Sequence, residues 1–208
     1  MRMKKTICIL FAALFITSAS FAASLESVCA GLAKHPHTTG DFTQVKTMKA
    51  TGRSLKSSGN FIFSLEGIMW KTVKPFPSTL AVSETQIIQT AADGSRTVIE
   101  AAGNEIFASI ANTLKAVFTN DLTLLQENFN TFFSEEAAGK WTINLDPKDS
   151  TIKSVMKSLT LKGTVSDITS LDSITMTEAS ENTITYSFIN QKYPKELSDG
   201  EKAFFLAE

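Results

Sequence analysis

The 208 residues carry 20 Lys and Arg against 21 Asp and Glu, with two His and two Cys. A balanced charge with no basic stretch argues against nucleic acid or an anionic membrane surface as the main partner. The length suits one domain with a sizeable core. Fifteen Phe, against two Trp and two Tyr, supply apolar surface for a dense core, or a surplus that lines a cavity.

The chain opens with MRMKKTICILFAALFITSASFA. Arg2, Lys4 and Lys5 precede an apolar run from Ile7 to Ile16, and Ser20 and Ala22 follow at a spacing that signal peptidase accepts. The run is short for a membrane span, so residues 1–22 are expected to be a cleaved export signal and residues 23–208 one soluble mature domain outside the cytoplasm. No small-residue-then-Cys sequence follows Cys8, which leaves no lipid attachment site. Loss of the three leader bases leaves 17 bases against 21 acids, a net charge near −4, and Cys29 as the one remaining cysteine. No internal disulfide can then form, and Cys29 reads as a small apolar residue on a helix.

Residues 24–34 place Leu25, Val28, Cys29 and Leu32 at helical spacing behind a Ser24 cap. His35-Pro36 ends that helix. From Thr39 the apolar period becomes two. Phe42, Gln44, Lys46 and Met48 share a face of a first strand, and Phe61, Phe63 and Leu65 share a face of a second. A third strand carries Ile68, Trp70 and Thr72, and a fourth Leu80 and Val82, with the loop Lys74-Pro75-Phe76-Pro77 between them. Ile87–Thr90 and Thr97–Glu100 pair around the turn Asp93-Gly94. In residues 104–118 the stripe Ile106, Ile110, Leu114, Val117 and Phe118 predicts an amphipathic helix. A second helix is expected over 121–133 behind Asp121, and a strand follows at Trp141, Ile143 and Leu145. A short helix is expected from Pro147-Lys148-Asp149 to about Lys157, then strands over 158–164, 168–178 and 182–190. The order predicts a mainly β protein with α: an incomplete, half-open antiparallel β-barrel of about ten strands covered by helices.

The stretch from Asp41 to Val82 resembles the periplasmic lipoprotein carriers of the Lol pathway. The resemblance rests on Phe42-Thr43-Gln44 after the first helix, Gly59-Asn60-Phe61-Ile62-Phe63, and Trp70 followed by Pro75. Trp141-Thr-Ile-Asn-Leu-Asp-Pro-Lys-Asp149 is similar to a Trp-x-Leu-x-Leu-x-Pro pattern in a divergent branch of that superfamily. The resemblance implies a monomeric periplasmic carrier that shields acyl chains of lipoproteins on the way to the outer membrane. Its partners would be an inner-membrane release complex and an outer-membrane receptor. Carried over by motif, Phe42, Phe61, Phe63, Ile68 and Trp70 would line the sheet side of the cavity, and Ile106, Ile110, Leu114 and Phe118 the cover. The pleat alternates, so not all five sheet residues are expected to face it at once. The family's arginine in the strand before the Trp is replaced by Ser64-Leu65-Glu66, so any gating here must differ. That departure keeps open a cargo from a glycolipid or polyene lipid pathway, or a lipid-sensing or scaffold role on the same fold.

No catalytic constellation, metal site or cofactor motif emerges. His35 and His37 flank Pro36 in a turn with no Asp or Cys nearby, and are expected to be solvated. No Gly-x-Ser-x-Gly or Gly-rich phosphate loop occurs. Glu135-Glu136 and the pair Asp146 and Asp149 fit a solvated edge better than an acid–base pair across a cleft.

Overall fold

The computed structural model describes residues 23–100, 105–136 and 139–206, without the side chains of residues 105–111. The export signal expected over residues 1–22 lies outside the described residues. Ser24 caps α1 (Leu25–Ala33) through a capping box with Ser27, which buries Leu25, Val28, Cys29 and Leu32. Six strands follow: β1 (Thr38–Thr47), β2 (Ser54–Phe63), β3 (Ile68–Lys74), β4 (Ser78–Val82), β5 (Gln86–Thr90) and β6 (Arg96–Glu100). Two helices, α2 (Glu105–Phe118) and α3 (Leu122–Asn128), then lead to β7 (Phe129–Glu135) and β8 (Lys140–Pro147). The one-turn α4 (Ser150–Lys153), β9 (Met156–Val165), β10 (Thr169–Glu178) and β11 (Thr183–Lys192) come next. The chain closes with α5 (Asp199–Lys202) and a 3-10 turn, Ala203–Phe205.

All eleven strands join one antiparallel sheet in the order β6-β5-β4-β3-β2-β1-β11-β10-β9-β8-β7. Pairing of β1 with β11 welds the two halves of the chain together. The end strands β6 and β7 do not pair with each other, so the barrel stays open as expected. Helices α1 to α4 sit on the concave face. There α1 packs on β10 and α2, and α2 also touches α3, α4 and β4.

Four expectations need correction. The helix expected over 121–133 ends at Asn128, where Phe129 takes an extended backbone. Residues 129–135 instead pair with β8, adding the eleventh strand. The spacing of Phe129, Phe132 and Phe133 suits either period, and the unpaired edge of β8 decides. Phe129 and Phe133 turn inward, while Phe132 is 57% exposed on the outer face. The helix expected to reach Lys157 stops at Lys153, because Met156 already begins β9. Leu65 is not in β2: Ser64 and Gly67 close a turn through Ser64 N–H to Gly67 O (3.0 Å). Finally, β1 ends at Thr47, and Met48 donates its N–H to Arg53 O (2.8 Å) in the turn that follows.

A second, smaller core lies on the convex face. Ile62, Met69, Ala81 and Ile88 point outward and are covered by Leu197 and Phe205 from the C-terminal segment. Gln86 Nε2 donates to Phe205 O (3.0 Å) and pins that segment to β5. The sequence reading did not anticipate this outer layer.

Candidate functional site

Residues directly opposite in an antiparallel pair share a face, so the register carries each side chain's face across the sheet. Phe42 pairs with Gly59 and Phe188, Gly40 with Phe61, Phe61 with Trp70, and Phe63 with Ile68. Phe42, Phe61, Phe63, Ile68 and Trp70 therefore all lie on the concave face, where the sequence reading allowed only some. The β1–β2 and β2–β3 hairpins each set an even-numbered residue against an odd one, so the faces add rather than alternate.

Under the cover these residues form one core. Phe42, Phe61, Phe63, Ile68 and Leu114 are buried in it with Phe188, and Trp70 and Phe118 are half-buried against it. The Phe63 ring lies 4.7 Å from Phe61, 5.1 Å from Phe188, 5.2 Å from Phe118 and 6.0 Å from Trp70, centre to centre. Such a ring cluster adds to the stabilisation from area burial alone. Phe118 thus reaches from α2 to the sheet. The side chains of Ile106 and Ile110 lie outside the described residues.

Among the described residues, the rings of this cluster pack against one another on the concave face. A recess of about 230 Å³ remains where burial falls away, bordered by Phe42, Gln44, Trp70, Leu80, Gln89 and Tyr186. That is below the roughly 300–1,000 Å³ of pockets that hold drug-sized ligands. Gly59 pairs with Phe42 on one side and Thr72 on the other, so β2 sends no side chain into that row. Its backbone lies so close to β3 that a Cβ would meet Lys71 O at 1.8 Å. Close approach explains the glycine in the Gly-x-Phe-x-Phe motif.

Burial keeps the Tyr186 phenol neutral, pushing it up to about 12. Its ring lies 5.8 Å from both Phe42 and Trp70. The Trp70 Nε1–H is buried without a hydrogen-bond partner. Tyr186, Leu80 and Gln89 were not singled out by sequence. Their only signal was parity within clear alternating runs, which becomes useful once the strand order is known.

Lys115, in the last turn of α2, pairs with Glu84 in the β4–β5 turn. The Lys115 hydrogen bond and charge hold the Glu84 carboxyl below its usual range. The segment Ser64-Leu65-Glu66 lies in the β2–β3 turn, and Leu65 is exposed. His37 corrects the solvated reading: it is buried, with Nδ1 3.7 Å from Glu66 Oε2. It is the first step of the chain out of the α1–β1 turn and into the sheet. His35 packs on Tyr193 with ring centres 4.5 Å apart. Asp149 caps α4, accepting from Thr151 and Ile152 N–H (2.8 and 3.1 Å). A larger groove of about 760 Å³ lies across the sheet on the convex side, bordered by Asp41, Asn60, Lys71, Lys192 and Phe204. Its charged border makes it a poor refuge for hydrocarbon.

A half-open antiparallel sheet, wrapped around an aromatic concave core and capped by helices, gives the molecule the half-barrel fold of lipid carriers. The chain belongs to the LolA family, the outer membrane lipoprotein carrier proteins, whose family model matches residues 34–204. It is similar in structure to a DUF1329 family protein from Desulfovibrio piger, at 10% identity and a TM-score of 0.50, over 86% of this chain and 94% of that one. It is also similar to a putative outer membrane lipoprotein-sorting protein domain from Vibrio parahaemolyticus, at 6% identity and a TM-score of 0.50, over 87% of this chain and 98% of that one. At these identities the likeness concerns the fold. No curated protein sequence matches the chain. No helix among the described residues is long and apolar enough to cross a membrane.

Proposed function

We propose that this protein is a non-enzymatic periplasmic carrier that shields the acyl chains of lipoproteins in transit to the outer membrane. The observation that carries the proposal is the continuous aromatic row on the concave face, which runs from the buried core out to the recess beside Trp70. Hydrocarbon left in water costs about 0.8 kcal/mol per methylene, so an aqueous crossing needs such an apolar sleeve. A full acyl chain needs more room than 230 Å³, so loading requires α2 to lift from β4 and the Phe63–Phe118 contact to part.

An acyl chain bearing a nitroxide should quench Trp70 fluorescence in a Trp141→Phe background. The processed protein should also move acyl chains from donor to acceptor vesicles. Binding without transfer would instead make the protein a lipid sensor or scaffold. Absence of binding would overturn the reading.

A further inference from the structure

We propose that the recess holds the neutral carbonyl end of an ester- or amide-linked acyl chain and rejects the same chain as a free carboxylate. This inference rests on the acyl-carrier reading and narrows its ligand. Five of the six consecutive strands from β5 to β11 carry the same gradient on the concave face, apolar inside and neutral-polar outside. It runs from Phe42 to Gln44 on β1, Ile68 through Trp70 to Thr72 on β3, Val82 through Leu80 to Ser78 on β4, Ile87 to Gln89 on β5, and Phe188 to Tyr186 on β11. A tail seated in the core would therefore present its head to the outer part of this ladder.

No residue bordering the recess carries a charged side chain. Its polar groups are the Trp70 indole, the Gln44 and Gln89 amides, the Tyr186 phenol, and the Thr72, Ser78 and Thr79 hydroxyls. Ser57 Oγ donates to Gln44 Oε1 (3.0 Å), which turns the Gln44 amide N–H groups to other acceptors. The buried Trp70 Nε1–H has no acceptor of its own, a costly state that a guest carbonyl oxygen would relieve. The cation two residues along β1, Lys46, is already matched by Glu178 at 2.6 Å. A carboxylate brought here meets no cation on the recess border, whereas an ester or amide needs none.

The test compares sodium dodecanoate, methyl dodecanoate and N-methyldodecanamide, each titrated calorimetrically into the delipidated, processed protein at pH 8. The ester and the amide should bind at least tenfold more tightly than dodecanoate. Gln89→Lys, which puts a cation at the border of the recess, should raise the affinity for dodecanoate relative to the ester at least tenfold. Trp70→Phe should weaken the ester and the amide about tenfold relative to dodecanoate. Equal affinities of all three probes for the native protein, or an ester affinity untouched by Trp70→Phe in a folded variant, would overturn this inference and leave acyl binding standing. Failure of every probe to bind would instead remove the acyl-carrier reading beneath it.

Discussion

Two tryptophans on the concave face show how one sheet can serve two purposes. Trp141, on β8, is 1% exposed and lies over Gly163 of β9, where a Cβ would come within 2.3 Å of its ring. Around it Ile143, Leu145, Leu159 and Leu161 are fully buried, beneath α1 and α4, which pack on β8–β10. Trp70, on β3, is half-buried beside the recess, and of the helices only α2 reaches this half strongly, through β4. Both indole Nε1–H groups are buried and unpartnered, and Trp70 borders the recess. On the proposed reading, the β7–β10 half is a packed foundation and the β1–β5 half the surface whose covering opens. A carrier needs both, because a cavity that opens must hang on something that does not.

That contrast is open to direct attack, most forcefully by truncating the two indoles. Trp141→Ala should cost about 3–5 kcal/mol in urea unfolding. Trp70→Ala should cost about 1–2 kcal/mol, because less of its surface leaves water on folding. Equal costs would erase the distinction between the halves. Gly163→Ala comes next. Its Cβ would press on Ser170 O at 2.0 Å and on the Trp141 ring, for a loss of about 1–3 kcal/mol and an altered Trp141 emission. Gly200→Ala, with nothing within 4 Å, is the control and should leave Tm unchanged.

A smaller effect is expected where the halves meet. Lys46 on β1 and Glu178 at the end of β10 pair across β11. The Lys46 hydrogen bond, aided by Asn182, holds the Glu178 carboxyl below its ordinary range. A depressed carboxyl stabilises the fold above its unfolded pKa, and loses that contribution as pH falls through the lower folded value. Lys46→Ala should therefore lose less than about 1 kcal/mol at pH 7, and the difference from the native protein should vanish toward pH 3. The smallest effect sharpens the comparison by its absence. Burial, and secondarily Glu26, pushes the Cys29 thiol on α1 up to about 12. A disulfide reagent at pH 8 should leave it unlabelled in the native protein, and acyl ligand should not change that if the opening is confined to α2. Rapid labelling on ligand addition would show that the foundation moves as well.

Much of the fold was legible because its periods are strong. The α1 stripe with its Ser24 cap, the alternation in Thr183–Ile189, and the hairpin around Asp93-Gly94 each follow from local geometry, and each forms. The failures share one cause, which is a residue pattern that two local structures satisfy equally. Phe129, Phe132 and Phe133 fit a helix or an edge strand, and only the vacant side of β8 chose. His37 looked like a turn residue until the start of β1 carried it under Glu66. The outer core of Ile62, Met69, Leu197 and Phe205 gave no sign, since the cover comes from a short segment far along the chain.

The order of amino acids alone determined the alternation of apolar residues, the positions of the helices that interrupt it, and the motif glycine at 59, because these depend on neighbours within a few residues. The tertiary structure alone decided which side chains meet. Phe42 faces Phe188 and Gln44 faces Tyr186 only because β1 pairs with β11, and that pairing joins opposite ends of the chain. The registers of β1–β2 and β2–β3 decided that five aromatic and aliphatic side chains share one face, and the β1–β11 closure brought Tyr186 to the neutral border of the recess beside Trp70. Register is a property of strands held side by side, and a one-residue slip would send every one of those groups to the other face of the sheet.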